Sequence, residues 1–215
     1  DLKADFVVPT GNFGDILAGY FAKKMGLPVG KLVCASNRND VLTDFLRTGV
    51  YDRRRPFYKT LSPSMDILVS SNLERLLFLL AEDGAPEVAG YMKDLKEQGI
   101  YRVKPGLLAR LQEEFACGCC DDVETEHTIG RVWREQHYLM DTHTAVAWTV
   151  AEEYRKTRGS DAPVVVLSTA SPYKFPAAVL RAVGGDVSGE EFDLMRRLHD
   201  LTEVPVPPAL AALAE

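Results

Sequence analysis

The chain has 215 residues, with 25 basic and 31 acidic side chains and a formal net charge of −6. Hydrophobic residues make up 46% and charged ones 26%, the composition of an ordinary globular protein that buries roughly 70% of its unfolded surface without a disulfide or metal staple. That balance argues against a broad basic footprint for nucleic acid or an anionic membrane, and no apolar run approaches the roughly 20 residues of a membrane span. The chain starts on Asp1 and runs at once into its first element, with no targeting peptide, so it is expected to be a piece of a longer protein. Cys117, Cys119 and Cys120 crowd together, with Cys34 apart, which suits reduced thiols in a cytoplasmic protein.

Asp5–Pro9 is a β-branched apolar run ending in a turn signal at Thr10-Gly11. Ile16, Leu17, Tyr20 and Phe21 then share one helical face over Gly14–Met25, with Lys23 and Lys24 in the last turn. Leu32–Ala35 reads as a second strand and Val41–Arg47 as a helix closed by Gly49. This β-α-β-α order predicts an α/β fold, a parallel sheet flanked by helices. Asn72–Glu82, Pro86–Gln98, Pro105–Phe115 and Glu124–Leu139 read as helices, with strand signal at Ile100–Val103, so residues 51–140 are expected to form a mainly helical insertion between core segments 1–50 and 141–215. Beyond it, Thr142–Arg158 is an amphipathic helix and Pro163–Leu167 a strand expected to be fully buried. Phe175–Val183 and Glu190–Asp200 follow as helices, and Val204–Glu215 is a Pro/Ala-rich tail.

The sharpest local feature is Gly11-Asn12-Phe13-Gly14-Asp15, set between a strand and a helix. Glycine lets a ligand approach the backbone, and the free N–H groups of a first helical turn favour anions. The loop is neither a Walker loop nor a G-x-G-x-x-G fingerprint. The same spacing also suits a tight turn that binds nothing.

PTGNFGDILAGYFAKKMGLP, ASNRNDVLTDFLRTGVY, SPSMDILVSSNLERLLF, DTHTAV and LSTASPYKF stand in the order found in pyridoxal-phosphate-dependent threonine synthases. From about Phe6 to Phe175 the chain resembles the C-terminal portion of that family. The resemblance implies fold type II among pyridoxal-phosphate enzymes, a carbon–oxygen lyase activity that turns O-phospho-L-homoserine and water into L-threonine and phosphate, and pyridoxal 5′-phosphate as cofactor. It implies that Gly11, Asn12, Phe13 and Gly14 cradle the cofactor phosphate, with Asp15 where relatives often have Asn. It further implies that a hydroxyl of Thr169 or, second, Ser168 faces the pyridine nitrogen. Many relatives read Thr-Ala-His-Pro-x-Lys-Phe where this chain has Ser171 and Tyr173. The family's Schiff-base lysine sits in a Ser-Phe-Lys-Asp string that this chain lacks. No catalytic residue is therefore assigned, and the chain alone is expected to be inactive.

Arg38, after the second strand, could clamp a substrate phosphate or carboxylate, while Asn39 or Asp40 suits a cap for the next helix. Ser70, Ser71, Asn72 and Arg75 are left outside the site, with Asn72 read as a helix cap. Cys117 and Cys120 have C-x₂-C spacing without a second ligand pair, so no metal is expected. His143 is read as a capping or packing residue. Two other readings remain: a non-catalytic phosphate-binding module, and another fold type II enzyme such as a serine/threonine dehydratase or cysteine synthase.

Overall fold

A computed structural model describes residues 3–213. The start at Asp1 and the last two residues of the Pro/Ala-rich tail lie outside the described residues. The chain opens with strand β1 (Ala4–Pro9), helix α1 (Gly14–Lys24), strand β2 (Val29–Ser36), helix α2 (Val41–Thr48) and strand β3 (Val50–Asp52). Helices α3 (Leu73–Leu80) and α4 (Ala85–Glu97), strand β4 (Ile100–Arg102), helix α5 (Pro105–Glu114) and strand β5 (Phe115–Cys119) come next. Helices α6 (Asp122–Gln136) and α7 (Thr142–Thr157) lead into strand β6 (Val164–Val166). Helices α8 (Pro176–Ala182), α9 (Glu191–Thr202) and α10 (Pro208–Ala211) finish it, the last inside a stretch read from sequence only as a tail.

Four strands form one parallel sheet in the order β5-β2-β1-β6, and β3 pairs with β4 as a separate antiparallel ribbon. Because side chains alternate across a strand, the sheet feeds two cores. Val7, Val33, Ala35, Val164 and Val166 pack with Val146 and Val150 of α7. Val8, Leu32, Cys34 and Phe115 pack on the other face with Ile16 and Leu17 of α1 and Phe45 of α2. A third cluster joins α6, α8 and α9 around Ile129, Val179 and Leu198. Parallel strands covered on both faces explain the near-continuous apolar runs of β1 and β2.

Two expectations need correction. Phe115 does not end a helix: Phe115–Cys119 forms β5 in the sheet, register-paired with Leu32–Ser36. Its Ala-Cys-Gly-Cys run has no strong strand propensity, and pairing with β2 supplies what the local sequence lacks. Pro163–Leu167 is not fully buried either. β6 is an edge strand, Val165 is 41% exposed, and Val165 lines with Phe6, Val8, Leu27 and Leu167 an open groove of about 300 Å³. Its apolar run reflects a partner on one edge and α7 on one face only.

Candidate functional site

Val7 pairs with Val166, and the Leu167 N–H donates to the Val7 carbonyl at 3.0 Å. The chain therefore leaves β1 and β6 at the same sheet edge, with Thr10–Gly14 beside Ser168–Ala170. This is the carboxyl end of parallel strands, where α/β folds bind ligands.

Phe13 shapes the first of these loops. Its φ of 68° is left-handed, an uncommon conformation for a bulky residue and of the kind that clusters at ligand clamps. The ring pays for that conformation by packing: it is buried and lies 5.7 Å from the Phe115 ring. A left-handed residue just before a helix is the backbone setting in which nest-like anion sites form. Gly14 N–H is taken by Asn12 Oδ1 at 2.8 Å. The amides of Gly11, Asn12, Phe13 and Asp15 meet no acceptor among the described residues. The structure places Asp15 in the first turn of α1 rather than in the loop, and partial burial holds its carboxyl above the usual range.

The Gly11 and Asn12 carbonyls, by contrast, are held from outside the loop. Ser70 Oγ donates to the Gly11 carbonyl at 2.9 Å, and the Asn72 backbone and side-chain amides both reach the Asn12 carbonyl at 3.0 Å. Asn72 does not cap α3 with its side chain. Ser70 and Asn72 are thus the supports that sequence reading left out, although both stand in the SSNLER string. Gly11 is packed so closely that an added Cβ would sit 2.5 Å from the Ser64 carbonyl oxygen. Backbone donors without partners among the described residues, beside carbonyls that are tied back, suit a phosphate, and the loop residues fit that group.

A second polar cluster lies at the start of α7. Asp141 is fully buried and its side chain caps the helix, with Oδ1 accepting from the His143 N–H at 2.8 Å. His143 Nδ1 lies 3.0 Å from the same oxygen, while its Nε2 accepts the Ser64 N–H at 3.2 Å. Nε2 is thus the accepting nitrogen, and Nδ1 is the one that faces the carboxylate. Burial opposes the Asp141 charge, but hydrogen bonds from His143 and Thr144 outweigh it and hold the carboxyl below its usual range. The Thr144 hydroxyl donates to Asp141 Oδ2 in a short bond and stands 3.3 Å from Ser168 Oγ. Ser168 and Thr169 are both exposed at the strand edge. Ser171, which stands where many relatives have His, accepts from the Tyr173 N–H at 3.3 Å, and Tyr173 is buried with its hydroxyl on the Val204 carbonyl, so both residues are structural.

Arg38 follows β2, which ends beside β1 at the same carboxyl edge of the sheet. Asn37 and Asn39 on either side are buried and bind Asp66 Oδ1 at 2.8 and 3.0 Å, which leaves Arg38 exposed with its guanidinium 3.8 Å above the Tyr58 ring. Neither expected cap of α2 forms: Asp40 instead pairs with Arg55 at 2.8 Å. Among the described residues no group of three or more His, Cys, Asp and Glu could hold a metal ion. The four cysteines are free thiols, and burial pushes Cys34 up to about 12 and raises Cys117, Cys119 and Cys120. None is poised as a nucleophile.

Residues 144–211 match the family described as threonine synthase, C-terminal. The threonine synthase of Saccharomyces cerevisiae is 42% identical over 197 residues, covering 85% of this chain and 38% of that protein. The chain belongs to the threonine synthase family. The crystal structure of a PLP-bound threonine synthase from Brucella melitensis superposes with a TM-score of 0.81 at 41% identity, over 94% of this chain and 45% of that one. The yeast threonine synthase structure gives a TM-score of 0.84 at 37% identity, over 99% and 42%. The chain thus spans less than half the length of these threonine synthases, and its similarity falls on the family's C-terminal portion. The same relationship supports the mixed α/β architecture around a parallel sheet.

Proposed function

We propose that this chain works as the C-terminal part of a threonine synthase that converts O-phospho-L-homoserine and water into L-threonine and phosphate with pyridoxal 5′-phosphate. The observation that carries this reading is the row of amides at Gly11, Asn12, Phe13 and Asp15 that meet no acceptor among the described residues, beside the buried Phe13 ring. In this reading Gly11–Gly14 and the first turn of α1 hold the cofactor phosphate, and Ser168 or Thr169 contacts its ring nitrogen. When bound, the cofactor supplies an electron sink for the carbons next to the substrate's amino group. The chain's own residues bind and orient. The α1 amides neutralise phosphate charge, Ser70 and Asn72 keep the loop carbonyls turned away, and Arg38 offers a planar donor pair to the substrate's phosphate or carboxylate.

The lysine that tethers the cofactor is contributed by a segment outside this chain, which by itself forms no threonine. The compartment proposed is the cytoplasm; among the described residues no helix is long and apolar enough to cross a membrane. The test is a substrate panel on the protein translated from the whole reading frame. Phosphate release from O-phospho-L-homoserine with threonine formation supports the reading. Deamination of serine or threonine with O-phospho-L-homoserine ignored would replace it with a dehydratase. Cofactor binding with no turnover of any of these substrates would favour a non-catalytic phosphate-binding module.

A further inference from the structure

We propose that His143 is a positioning residue for the cofactor phosphate: through the backbone of Ser64 it fixes the surface on which the Gly11 turn of the phosphate loop rests. The inference rests on the cofactor reading above and deepens it. Gly11 has backbone behind it rather than a flexible side chain. The Ser64 carbonyl oxygen would lie 2.5 Å, and the Met65 Cα 3.2 Å, from a Cβ added there. The place of the Gly11 amide is therefore set by where Ser64 and Met65 sit, because close-packed interiors transmit small displacements instead of absorbing them. The Ser64 N–H in turn meets one acceptor among the described residues, His143 Nε2 at 3.2 Å.

The imidazole that accepts it has little freedom. His143 is buried, its Nδ1 lies 3.0 Å from Asp141 Oδ1, and its ring packs 4.8 Å from the Phe175 ring. Asp141 is itself fully buried at the cap of α7. The flanks of the segment are anchored elsewhere: the Asp66 carboxylate gathers Asn37, Asn39 and Thr60, and the Leu61 N–H reaches Asp122 Oδ1 at 3.1 Å. The Ser64 amide, at the point of contact with Gly11, is held by His143. A packing role would need only the volume of the ring, whereas positioning needs an acceptor at the place of Nε2.

The experiment titrates the protein translated from the whole reading frame with pyridoxal phosphate. Affinity is read from absorbance and the phosphate environment from phosphorus-31 NMR. His143→Gln can place an amide oxygen where Nε2 stands, and it should keep near-parental affinity and the parental phosphorus-31 shift. His143→Asn, whose oxygen ends nearer the place of Nδ1, and His143→Leu, which keeps most of the bulk without an acceptor, should each lose about tenfold in affinity, the effect of about one hydrogen bond. Both should also move the phosphorus-31 resonance, and either serves if the other fails to fold. The loss should nearly vanish in a Gly11→Ala background, where the contact with Ser64 is already displaced, since changes acting through one contact do not add. Full affinity in the Asn and Leu variants, a Gln variant as weak as Leu, or a loss that adds in full to that of Gly11→Ala overturns the positioning role while leaving cofactor binding intact. A parent protein that binds no cofactor overturns the underlying reading as well.

Discussion

The two ends of β1 carry polar groups of opposite character. At the amino end Asp5 is buried and completely paired: it accepts from the Lys31 N–H at 2.7 Å, the Tyr154 hydroxyl at 3.0 Å and Arg158 at 2.8 Å. At the carboxyl end, five residues further on, the loop leaves a row of backbone donors open. The closed end is built for stability, since a buried charge is tolerable only when its hydrogen bonds are filled. The open end keeps its donors for a ligand. Unspent hydrogen-bonding capacity, rather than polarity, separates the two.

Arg158→Ala should show the largest effect on folding. It strands the Asp5 carboxylate in the interior and should lower the unfolding free energy by about 3–5 kcal/mol, measured by urea titration. Cofactor affinity, measured where the protein is still folded, should be unchanged. A drop in affinity there would mean that the two ends are not independent.

Gly11→Ala tests the open end. The new Cβ meets the Ser64 carbonyl, which is backbone and cannot swing away, so the loop must shift at a cost of about 1–3 kcal/mol. Cofactor affinity should fall roughly 100-fold, equivalent to about 2.7 kcal/mol of lost binding, read from absorbance on titrating pyridoxal phosphate. Near-parental affinity would show that the loop is only a turn.

Asp141 gives the pH signature. Its folded pKa lies below the unfolded value of 3.8, so its contribution is fully present above that value and is lost as pH falls through the folded one. Thermal melts should be flat in this respect near neutrality and decline below about pH 4. Asp141→Asn should remove that part of the decline and cost about 1–3 kcal/mol at neutral pH, because an amide cannot accept from all of its donors. An unchanged acid profile in Asp141→Asn would mean the carboxylate is not the group being titrated.

Asp15→Asn should have the smallest effect. Burial already disfavours the Asp15 charge, and a bound phosphate would disfavour it further. Removing it should tighten cofactor binding a few-fold at neutral pH, with stability within about 0.5 kcal/mol, since an acidic residue in the first helical turn contributes little. Weaker binding in the variant would instead assign Asp15 a supporting role in the cradle.

Much of the frame was legible in the residues. The strand at 5–9, the helix after Gly14 and the strand–helix pair up to Gly49 follow from apolar period and turn chemistry, and each forms close to its expected place. What failed did so for nonlocal reasons. Val164–Val166 reads the same whether its outer face is covered or open, and only its place at the sheet edge decides. Phe115–Cys119 is a strand because β2 stands beside it. Asn72 looks like a cap by position, yet its amide goes to the Asn12 carbonyl, a partner 60 residues back.

The sequence by itself determined that a glycine-containing loop follows the first strand and opens a helix, and that five strings stand in the order of the threonine synthases. Both are properties of spacing, which the chain carries wherever it folds. Only the tertiary structure decided which of the loop's carbonyls are tied back. It did so by bringing Ser64, Ser70 and Asn72 against Gly11 and Asn12. Whether a polar group is satisfied depends on everything that comes within about 3 Å of it, and those neighbours arrive from distant parts of the chain.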